Sequence, residues 1–337
     1  MLSFMALFSY PHCSVIKYLT TPVEGVYLKH YKITIITMTK ETNIVEFLTT
    51  RFLDEASATA FFAEKRWGKD VHCPYCTSER VYKGKGKQPF KCSACGFKFT
   101  VKTGTIMEGS HVPVRIWLLA MYIMGTARKG ISSIQLAKTL GVTQKTAWFM
   151  AQRIRQACDE VELLKGIIEV DETYIGGKEK NKHNNKKLHM GRGVSNKIAV
   201  AGLKERDGKV MGRVVKDTSM ETLQGLIAEN VKAKSAVMTD DHLSYIGLDK
   251  RGFQHHSVKH SAREYVDGNA HTNGIESFWA LLKRGLYGTY HSVSKKHLQR
   301  YVNEFCFKAN NNSAISFVDA VCSRANGNMV QFNQLTA

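Results

Sequence analysis

The sequence predicts an α/β protein in which a mixed sheet flanked by helices follows two smaller N-terminal units. Two closely spaced Cys-x-x-Cys motifs predict a small metal-binding unit, and two short amphipathic helices around a glycine turn predict a helical unit after it. From residue 166 the pattern changes to short β-type segments interrupted by amphipathic helices, as in an α/β domain. We therefore expect a helical segment at 38–70, the metal-binding unit at 71–104, the helical unit at 112–165 and the α/β domain at 166–320.

The charge of the chain restricts its partners. Its 337 residues include 48 Lys and Arg against 29 Asp and Glu, which gives a formal charge of +19. Such an excess favours a polyanionic partner, because each neutralised phosphate releases counterions. Nucleic acid and an anionic membrane surface are the two candidates. Because no stretch approaches the roughly 20 apolar residues that span a bilayer, we expect a nucleic-acid partner and no membrane.

The first 37 residues differ from the rest of the chain. They begin with "MLSFMALFSYPHCSV", which is apolar but has neither a basic region before it nor a small-residue cleavage site after it. The segment that starts at Met38, "MTKETNIVEFLTTRFLDE", is more typical of the beginning of a folded protein. We expect residues 1–37 to be an upstream extension foreign to the native protein, with a cryptic signal peptide as the alternative.

Four cysteines make up the metal-binding unit. Two residues separate Cys73 from Cys76 and Cys92 from Cys95, and fifteen residues separate the two pairs. Each motif makes a tight turn that directs two thiolates at one ion, so the four complete a tetrahedral Zn²⁺ site with no open position for a substrate. We expect a zinc ribbon whose zinc is structural. The other four cysteines are scattered, which favours reduced thiols and an intracellular protein.

The segment "GISSIQLAKTLGVTQKTAWFMAQRIRQAC" predicts two helices around a turn at Gly141. Ser132 or Ser133 caps the first helix, and Thr143 caps the second. Polar and basic residues near the start of the second helix are typical of a recognition helix in the major groove, so we expect a helix-turn-helix unit that binds DNA. An ordinary helical hairpin is the alternative. The first helix is expected to turn four apolar residues inward: Ile134, Leu136, Ala137 and Leu140. The second is expected to present four outward-facing DNA-binding residues: Lys145, Gln152, Arg153 and Arg155.

The α/β domain opens with a strand, a hairpin, a helix and another strand. "GIIEVDETYIGG" is the first strand, with Asp171 in its middle, and "KSAVMTDDHLSYIGL" contains the fourth, which ends at Asp240. This order is that of a ribonuclease H-like fold, in which these two strands are neighbours. We therefore expect Asp171 and Asp240 to lie close together although they are far apart in the sequence.

Glu276, near the start of the helix "GIESFWALLKRGL", is the expected third carboxylate. Three carboxylates in one cleft repel one another unless cations neutralise them, and oxygen ligands favour Mg²⁺ or Mn²⁺. The alternative is a capping box, in which Asn273 caps the helix and Glu276 bonds back to it. Asn273 also offers an amide oxygen to a metal. Lys283, two turns after Glu276 on the same helix face, and the adjacent Arg284 are expected to contact DNA phosphates.

Five stretches carry a family resemblance: "CPYC…CSACG", "FTVKTGTIMEGSHVP", "EVDETYIGGK", "VMTDDHLSY" and "DGNAHTNGIESFWALLKRGLYGTYHSVSKKHLQRYVNEFCFKANN". From about residue 40 to 315 the chain resembles DDE-class insertion-sequence transposases with an N-terminal zinc ribbon, the ISXO-like group to which Merlin-type transposases are related. The resemblance implies Mg²⁺-dependent transposition at terminal inverted repeats, by protomers that assemble on double-stranded DNA. It makes Asp171, Asp240 and Glu276 the catalytic carboxylates and Lys283 the basic residue that follows them. Because some members use an asparagine in the third place, Asn273 is the alternative to Glu276.

Two other functions share these features. A DNA-binding regulator with a catalytically dead ribonuclease H-like domain would need no carboxylate triad. A structure-selective nuclease of the same fold would cut DNA without joining it. We expect a transposase, which both cleaves and joins DNA strands.

Overall fold

The computed structural model describes residues 43–336 apart from 85–88, 161, 178–182, 184–196, 259–271 and 328–330. These residues all belong to the second of the two units into which the chain divides, 41–337. The predicted upstream extension, 1–37, lies outside them. Within the described ranges there is no helix with the length and apolar character needed to cross a membrane.

Two helices and a small antiparallel sheet begin the described chain. The helices are α1 (Ile44–Arg51) and α2 (Glu55–Trp67), and the strands, in spatial order, are β1 (Val81–Lys83), β2 (Phe90–Cys92) and β3 (Lys98–Phe99). Phe90 and Phe99 stack on each other, and Trp67 at the end of α2 packs edge-on against both rings. The small sheet therefore shares its core with the helix before it.

Three helices follow: α3 (Val114–Thr126), α4 (Ser133–Leu140) and α5 (Gln144–Ala157). The predicted caps are confirmed, because Ser132 Oγ and Thr143 Oγ1 each accept the N–H of the residue three positions later. Gly141 ends α4 in the left-handed conformation, at φ 68°, which glycine adopts at no steric cost. The inward orientation predicted for Ile134 is wrong. Its side chain is 59% exposed, because the face of α4 that meets the core is narrower than predicted.

A mixed five-stranded sheet lies at the centre of the second half of the chain. Its strands are β4 (Ile167–Ile175), β5 (Ile198–Glu205), β6 (Val210–Val214), β7 (Ala236–Asp240) and β8 (Gln254–Val258). Their spatial order is β6-β5-β4-β7-β8. The first three are antiparallel neighbours, whereas β7 pairs in parallel with both β4 and β8. The first and fourth predicted strands are therefore neighbours, as expected, and α6 (Met220–Asn230) connects β6 to β7.

Helices cover both faces of this sheet, which confirms the α/β class. Side chains of β4 alternate, so Ile168 and Val170 pack with Leu223 and Ile227 of α6. Ile175 packs on the opposite face, against α7 (Asn273–Gly288) and α8 (Lys295–Asn310). The sheet thus lies between one helix and a pair of helices.

The chain returns to its N-terminal helices after α8. Helix α9 (Ala314–Ser323) packs against α3, and its Phe317 and Val321 share a core with Trp117 and Met121. The last described helix is α10 (Phe332–Thr336). Residues 314–320, which the sequence places in the α/β domain, thus help to complete the helical core.

Three side chains of α5 that were expected to face DNA are buried. Gln152, Arg153 and Arg155 are 0%, 5% and 2% exposed, so their predicted outward orientation is wrong. The pattern places them opposite the apolar face of α5, but α8 and the turn at 105–108 cover that side of the helix. Arg153, for example, donates to the carbonyl oxygens of Ile106 and Glu108. These side chains hold the fold together.

Arg155 forms a buried ion pair with Glu304 of α8, with 2.6 Å between Nε and Oε2. Lys308 also binds this carboxylate, and the Tyr290 hydroxyl donates to it at 3.2 Å. Burial alone would raise the pKa of Glu304, but Lys308 and Arg155 lower it to about 2. The carboxylate is therefore ionised at neutral pH and fully surrounded by donors. This cluster joins the helical unit to the helices on the sheet.

Glu304→Gln should lower the free energy of unfolding by about 3 to 5 kcal/mol, because it leaves the buried Arg155 cation without its counterion. Equilibrium urea unfolding at constant zinc concentration measures the loss. The control is Lys65→Met, which breaks the half-exposed Lys65–Asp319 pair and should cost less than about 1 kcal/mol. Equal losses in the two variants would show that the buried pair does not hold α5 to α8.

Candidate active site

The four cysteines in and beside the small sheet converge on one point. The Sγ atoms of Cys73 and Cys95 are 3.6 Å apart, as are those of Cys76 and Cys92. All four sulfur atoms lie within 4.8 Å of one another. Thiolates about 2.3 Å from a tetrahedral Zn²⁺ are about 3.8 Å apart. The cluster therefore has the size and the ligands of a zinc site.

The two Cys-x-x-Cys turns have the same backbone structure. In each, the first cysteine accepts the N–H of the residue after the second cysteine and donates its own N–H to the next carbonyl. These contacts join Cys73 to Thr77 and Ser78, and Cys92 to Gly96 and Phe97. The turn requires a left-handed residue, which is Gly96 in one motif and Thr77 in the other. The N–H of Cys95 lowers the pKa of Cys92 to about 6, which favours the thiolate that binds metal.

Asp171 and Asp240 meet where β4 lies beside β7. The register pairs Glu169 with Met238, so two residues later Asp171 stands beside Asp240 on the face that α7 covers. Burial, together with the charges of Asp240 and Glu276, raises the pKa of Asp171 to about 6. The N–H of Glu172 donates to Asp171 Oδ1 at 2.8 Å and partly offsets this rise. The predicted convergence of the two aspartates is therefore present.

Glu172 is a further carboxylate of this site that the sequence analysis missed. One oxygen each of Asp171, Glu172 and Asp240 lies within 4.8 Å of the other two. Successive residues of a strand point to opposite faces, so Glu172 approaches Asp240 from the α6 side and Asp171 from the α7 side. Burial, with the charges of Asp240 and Asp171, raises the pKa of Glu172 to about 7. Glu172 is adjacent to Asp171 in the sequence, but strand alternation directs the two side chains to opposite faces, so adjacency alone does not indicate a shared site.

Two buried hydrogen-bond donors flank the carboxylates, one on each face of the sheet. Trp279 of α7 lies near Asp171, and Tyr245, in a short 3₁₀-helix after β7, lies near Glu172. Neither the Trp279 Nε1 atom nor the Tyr245 hydroxyl has a hydrogen-bond partner in the part of the chain that the structure describes. Both can serve the carboxylates or an acceptor that binds among them.

Glu169 fixes the start of α7 against the sheet. Its buried carboxylate accepts the N–H of Ile275 at 2.9 Å, where the helix dipole favours an anion. Gly274 permits this approach, because a Cβ there would lie 2.6 Å from Glu169 Oε2. Glu169 lies two residues before Asp171 and therefore on the same face of β4. The contact brings the first turn of α7, with Glu276, next to Asp171.

The carboxylate of Glu276 is exposed and close enough to Asp171 to raise its pKa. The capping box that the sequence also allowed is absent: the N-cap residue is Thr272, whose hydroxyl donates to Glu276 Oε1 at 3.2 Å. Asn273 is instead the first helical residue, and its side chain is exposed. The geometry therefore keeps Glu276 at the edge of the carboxylate cluster.

The predicted basic residues occupy different environments. Lys283 is partly exposed two turns beyond Glu276, and Arg284 is exposed and donates to its own helix at Ala280. Lys145, at the start of α5, is exposed. Of the four α5 residues expected to bind DNA, only Lys145 thus has its predicted orientation.

Comparison with known proteins links the four-cysteine cluster and the carboxylate cluster to the transposases. Residues 163–310 match the family model of the ISXO2-like transposase domain, and residues 53–97 match that of the transposase zinc-ribbon domain. A protein in transposable element ISH50 of Halobacterium salinarum is 31% identical over 268 residues, which cover 75% of this chain and 90% of the relative. A transposase-like protein of Haemophilus influenzae is 32% identical over 122 residues, 36% of this chain and 98% of the relative. The matched regions contain the four-cysteine cluster and all the carboxylates described above.

Cys95→Ser should lower the zinc content from about one ion per chain to a small fraction of that, because three thiolates hold Zn²⁺ weakly. Elemental analysis after dialysis against a chelator measures it. Cys322→Ala, in the helical core, is the control and should keep its zinc. Equal zinc retention in the two variants would mean that the four thiolates do not bind the ion together.

Glu172→Gln should stabilise the zinc-loaded protein, without Mg²⁺ or Mn²⁺, at about pH 8 by about 1 to 3 kcal/mol, and by much less at about pH 5. The folded pKa of Glu172, about 7, lies above the ordinary value of 4.5, so its ionisation favours the unfolded state. The destabilisation by the ionised Glu172 therefore appears as the pH rises from 4.5 to about 7 and is absent at lower pH. Thermal unfolding in a buffer without added Mg²⁺ or Mn²⁺ measures the difference, with Asp70→Asn at an exposed position as the control. A gain that is independent of pH would contradict a buried, repelled carboxylate.

Proposed function

The chain belongs to the ISXO2-like transposases, and we propose that it binds the terminal inverted repeats of its insertion sequence, cleaves DNA there and joins the freed ends to target DNA. The observation that carries this proposal is the meeting of Asp171 and Asp240 from neighbouring strands, with Glu276 on a helix held against the same strand. Metal-assisted phosphodiester chemistry uses such converging carboxylates, held on rigid elements, as ligands.

We propose that the domain is ribonuclease H-like. The order strand, hairpin, helix, strand supports this, as does the parallel pairing of β4 with β7. In this arrangement the two aspartates come from the central part of the sheet, and the glutamate comes from a helix that packs on one face. The three side chains are thereby held by elements that pack directly against one another.

The carboxylates are proposed to hold Mg²⁺ or Mn²⁺. Asp171, Asp240 and Glu276 are the predicted ligands, and Glu172 belongs to the same cluster. Oxygen donors suit these hard cations, and the raised pKa values of Asp171 and Glu172 mark negative charge that a cation would neutralise. When bound, such cations activate an attacking hydroxyl and stabilise the leaving oxygen of a phosphodiester.

The other residues of the site are proposed to position DNA. Lys283 lies on the α7 face that carries Glu276, so its ammonium would hold a phosphate beside the one that is cut, with Arg284 contacting the backbone nearby. The four-cysteine cluster is proposed to hold structural zinc, and α4 and α5 to act as a helix-turn-helix that contacts DNA through Lys145. We propose that protomers assemble on the two ends of the element, since both ends must be joined.

Glu276→Gln should reduce strand transfer by more than about 100-fold while binding to the terminal repeat survives, because the variant loses a metal ligand but no DNA contact. The DNA that flanks the gene supplies the repeat sequence. Joining of a labelled repeat duplex to a plasmid measures transfer, and a gel shift measures binding. Asn273→Ala, one turn away and also exposed, is the matched control and should remain active.

Other outcomes of this experiment lead to other assignments. Activity in Glu276→Gln with loss in Asn273→Ala would make Asn273 the third catalytic residue. Cleavage without joining in the unmodified protein would favour a structure-selective nuclease. Repeat binding without any reaction, unaffected by Asp171→Ala, would favour the catalytically dead regulator.

A further inference from the structure

Two long segments of the chain contain no acidic residue. Neither Asp nor Glu occurs at 109–158, which holds seven Lys or Arg, or at 277–303, which holds five. The first segment includes α3, α4 and α5, and the second includes most of α7 and the first half of α8. Each segment therefore has a net positive charge along the sequence, which favours a polyanionic partner.

The structure packs these two segments against each other as parallel helices. Contacts join residues 148, 152 and 155 of α5 to residues 297, 301 and 304 of α8, in the same order along both helices. The steps of four and three residues are those of a single helix face. Because α5 and α8 run in the same direction, their N-terminal ends lie side by side. Those ends carry Lys145 on α5 and Lys295 and Lys296 on α8.

The charges around this contact are separated along the helices. Acidic side chains lie towards the C-terminal ends, where Asp159 pairs with Arg213 at 2.8 Å and Glu304 is buried. At the N-terminal ends, His297 packs against Trp148, and its pKa is lowered by burial and by neighbouring cations, among them Lys296. Burial and these cations thus both disfavour a charge on the His297 ring.

The backbone adds positive potential at the same place. Both N-termini carry the positive end of a helix dipole, and dipoles of parallel neighbours add at one end. The Ser294 side chain, at the N-cap of α8, makes no capping hydrogen bond. Lys295 and Lys296 are exposed in the first turn, as Lys145 is on α5.

We propose that the N-terminal ends of α5 and α8 form one phosphate-binding face for duplex DNA, built around Lys145, Lys295 and Lys296. The proposal deepens the proposed function, on which it rests for the identity of the polyanion. DNA contact is thereby divided between the helical unit and the helices of the catalytic domain. A duplex on this face has its position fixed relative to α7, because the buried Arg155–Glu304 pair locks α5 to α8 and α8 shares a core with α7.

The salt dependence of DNA binding tests this face. Log affinity falls linearly with log salt concentration, and each lost phosphate contact reduces the magnitude of this slope by about 0.9. Lys295→Gln/Lys296→Gln should therefore reduce the slope by about 2, and adding Lys145→Gln should reduce it by about 3. Fluorescence anisotropy with a labelled terminal-repeat duplex between about 50 and 200 mM salt measures the slope. The matched control, Lys232→Gln/Lys250→Gln, removes two exposed lysines near β7 and β8 and should leave it unchanged.

The outcomes test the shared face and the recognition of element ends separately. If Lys295→Gln/Lys296→Gln has the same slope as the unmodified protein, the shared face is wrong. An equal fall in the Lys232→Gln/Lys250→Gln control would do the same, because the effect would then reflect net charge alone. A smaller slope in Lys295→Gln/Lys296→Gln on both the repeat duplex and a scrambled duplex supports the face. If the unmodified protein binds these two duplexes equally well, the proposed recognition of element ends fails while the face stands.

Discussion

The buried ion pair between Arg155 and Glu304 is the constraint on which the arrangement of the two halves depends. A charge in a protein interior is tolerated only with a partner of good geometry, and here Lys308 and Tyr290 complete the partners of the carboxylate. The pair therefore holds α5 and α8 in one relative position. Since α8 also packs on the sheet, where a Cβ at Gly212 would lie 2.6 Å from Val302, the helical unit is fixed to the sheet itself.

The local features of the fold were predictable from the sequence because they depend on neighbouring residues. Cysteine spacing, the helix caps at Ser132 and Thr143 and the order of strands all follow from short-range chemistry. The burial of Arg155 was not predictable, because its partner lies 149 positions away on another helix. Periodicity identifies the polar face of a helix but not what covers that face. Glu172 could not be predicted for a related reason: alternation directs it to the opposite face of β4 from Asp171, and both side chains reach Asp240 because the neighbouring strand ends there.

Close contacts of side chains with two glycine backbones fix the position of α7 on the sheet at the candidate site. Gly274 lets the carboxylate of Glu169 reach the start of α7, and at Gly202, beside Asp171 in the sheet, a Cβ would lie 2.4 Å from the Trp279 ring. Both glycines allow α7 to lie deep on the sheet. The carboxylates of the site repel one another, so the surrounding packing must hold them together in the absence of a cation. Stability elsewhere thus compensates for a locally unfavourable cluster.

The packing of α9 against α3 has a consequence for biosynthesis. A ribosome that has made α1 to α5 has not yet made Phe317, Val321 or Cys322, which fill the core of those helices. The emerging helical unit therefore exposes apolar surface while about 150 further residues, including the whole sheet, are translated. Closing so long a loop is entropically costly and slow. A chaperone that shields α3 during this interval would protect the nascent chain from aggregation.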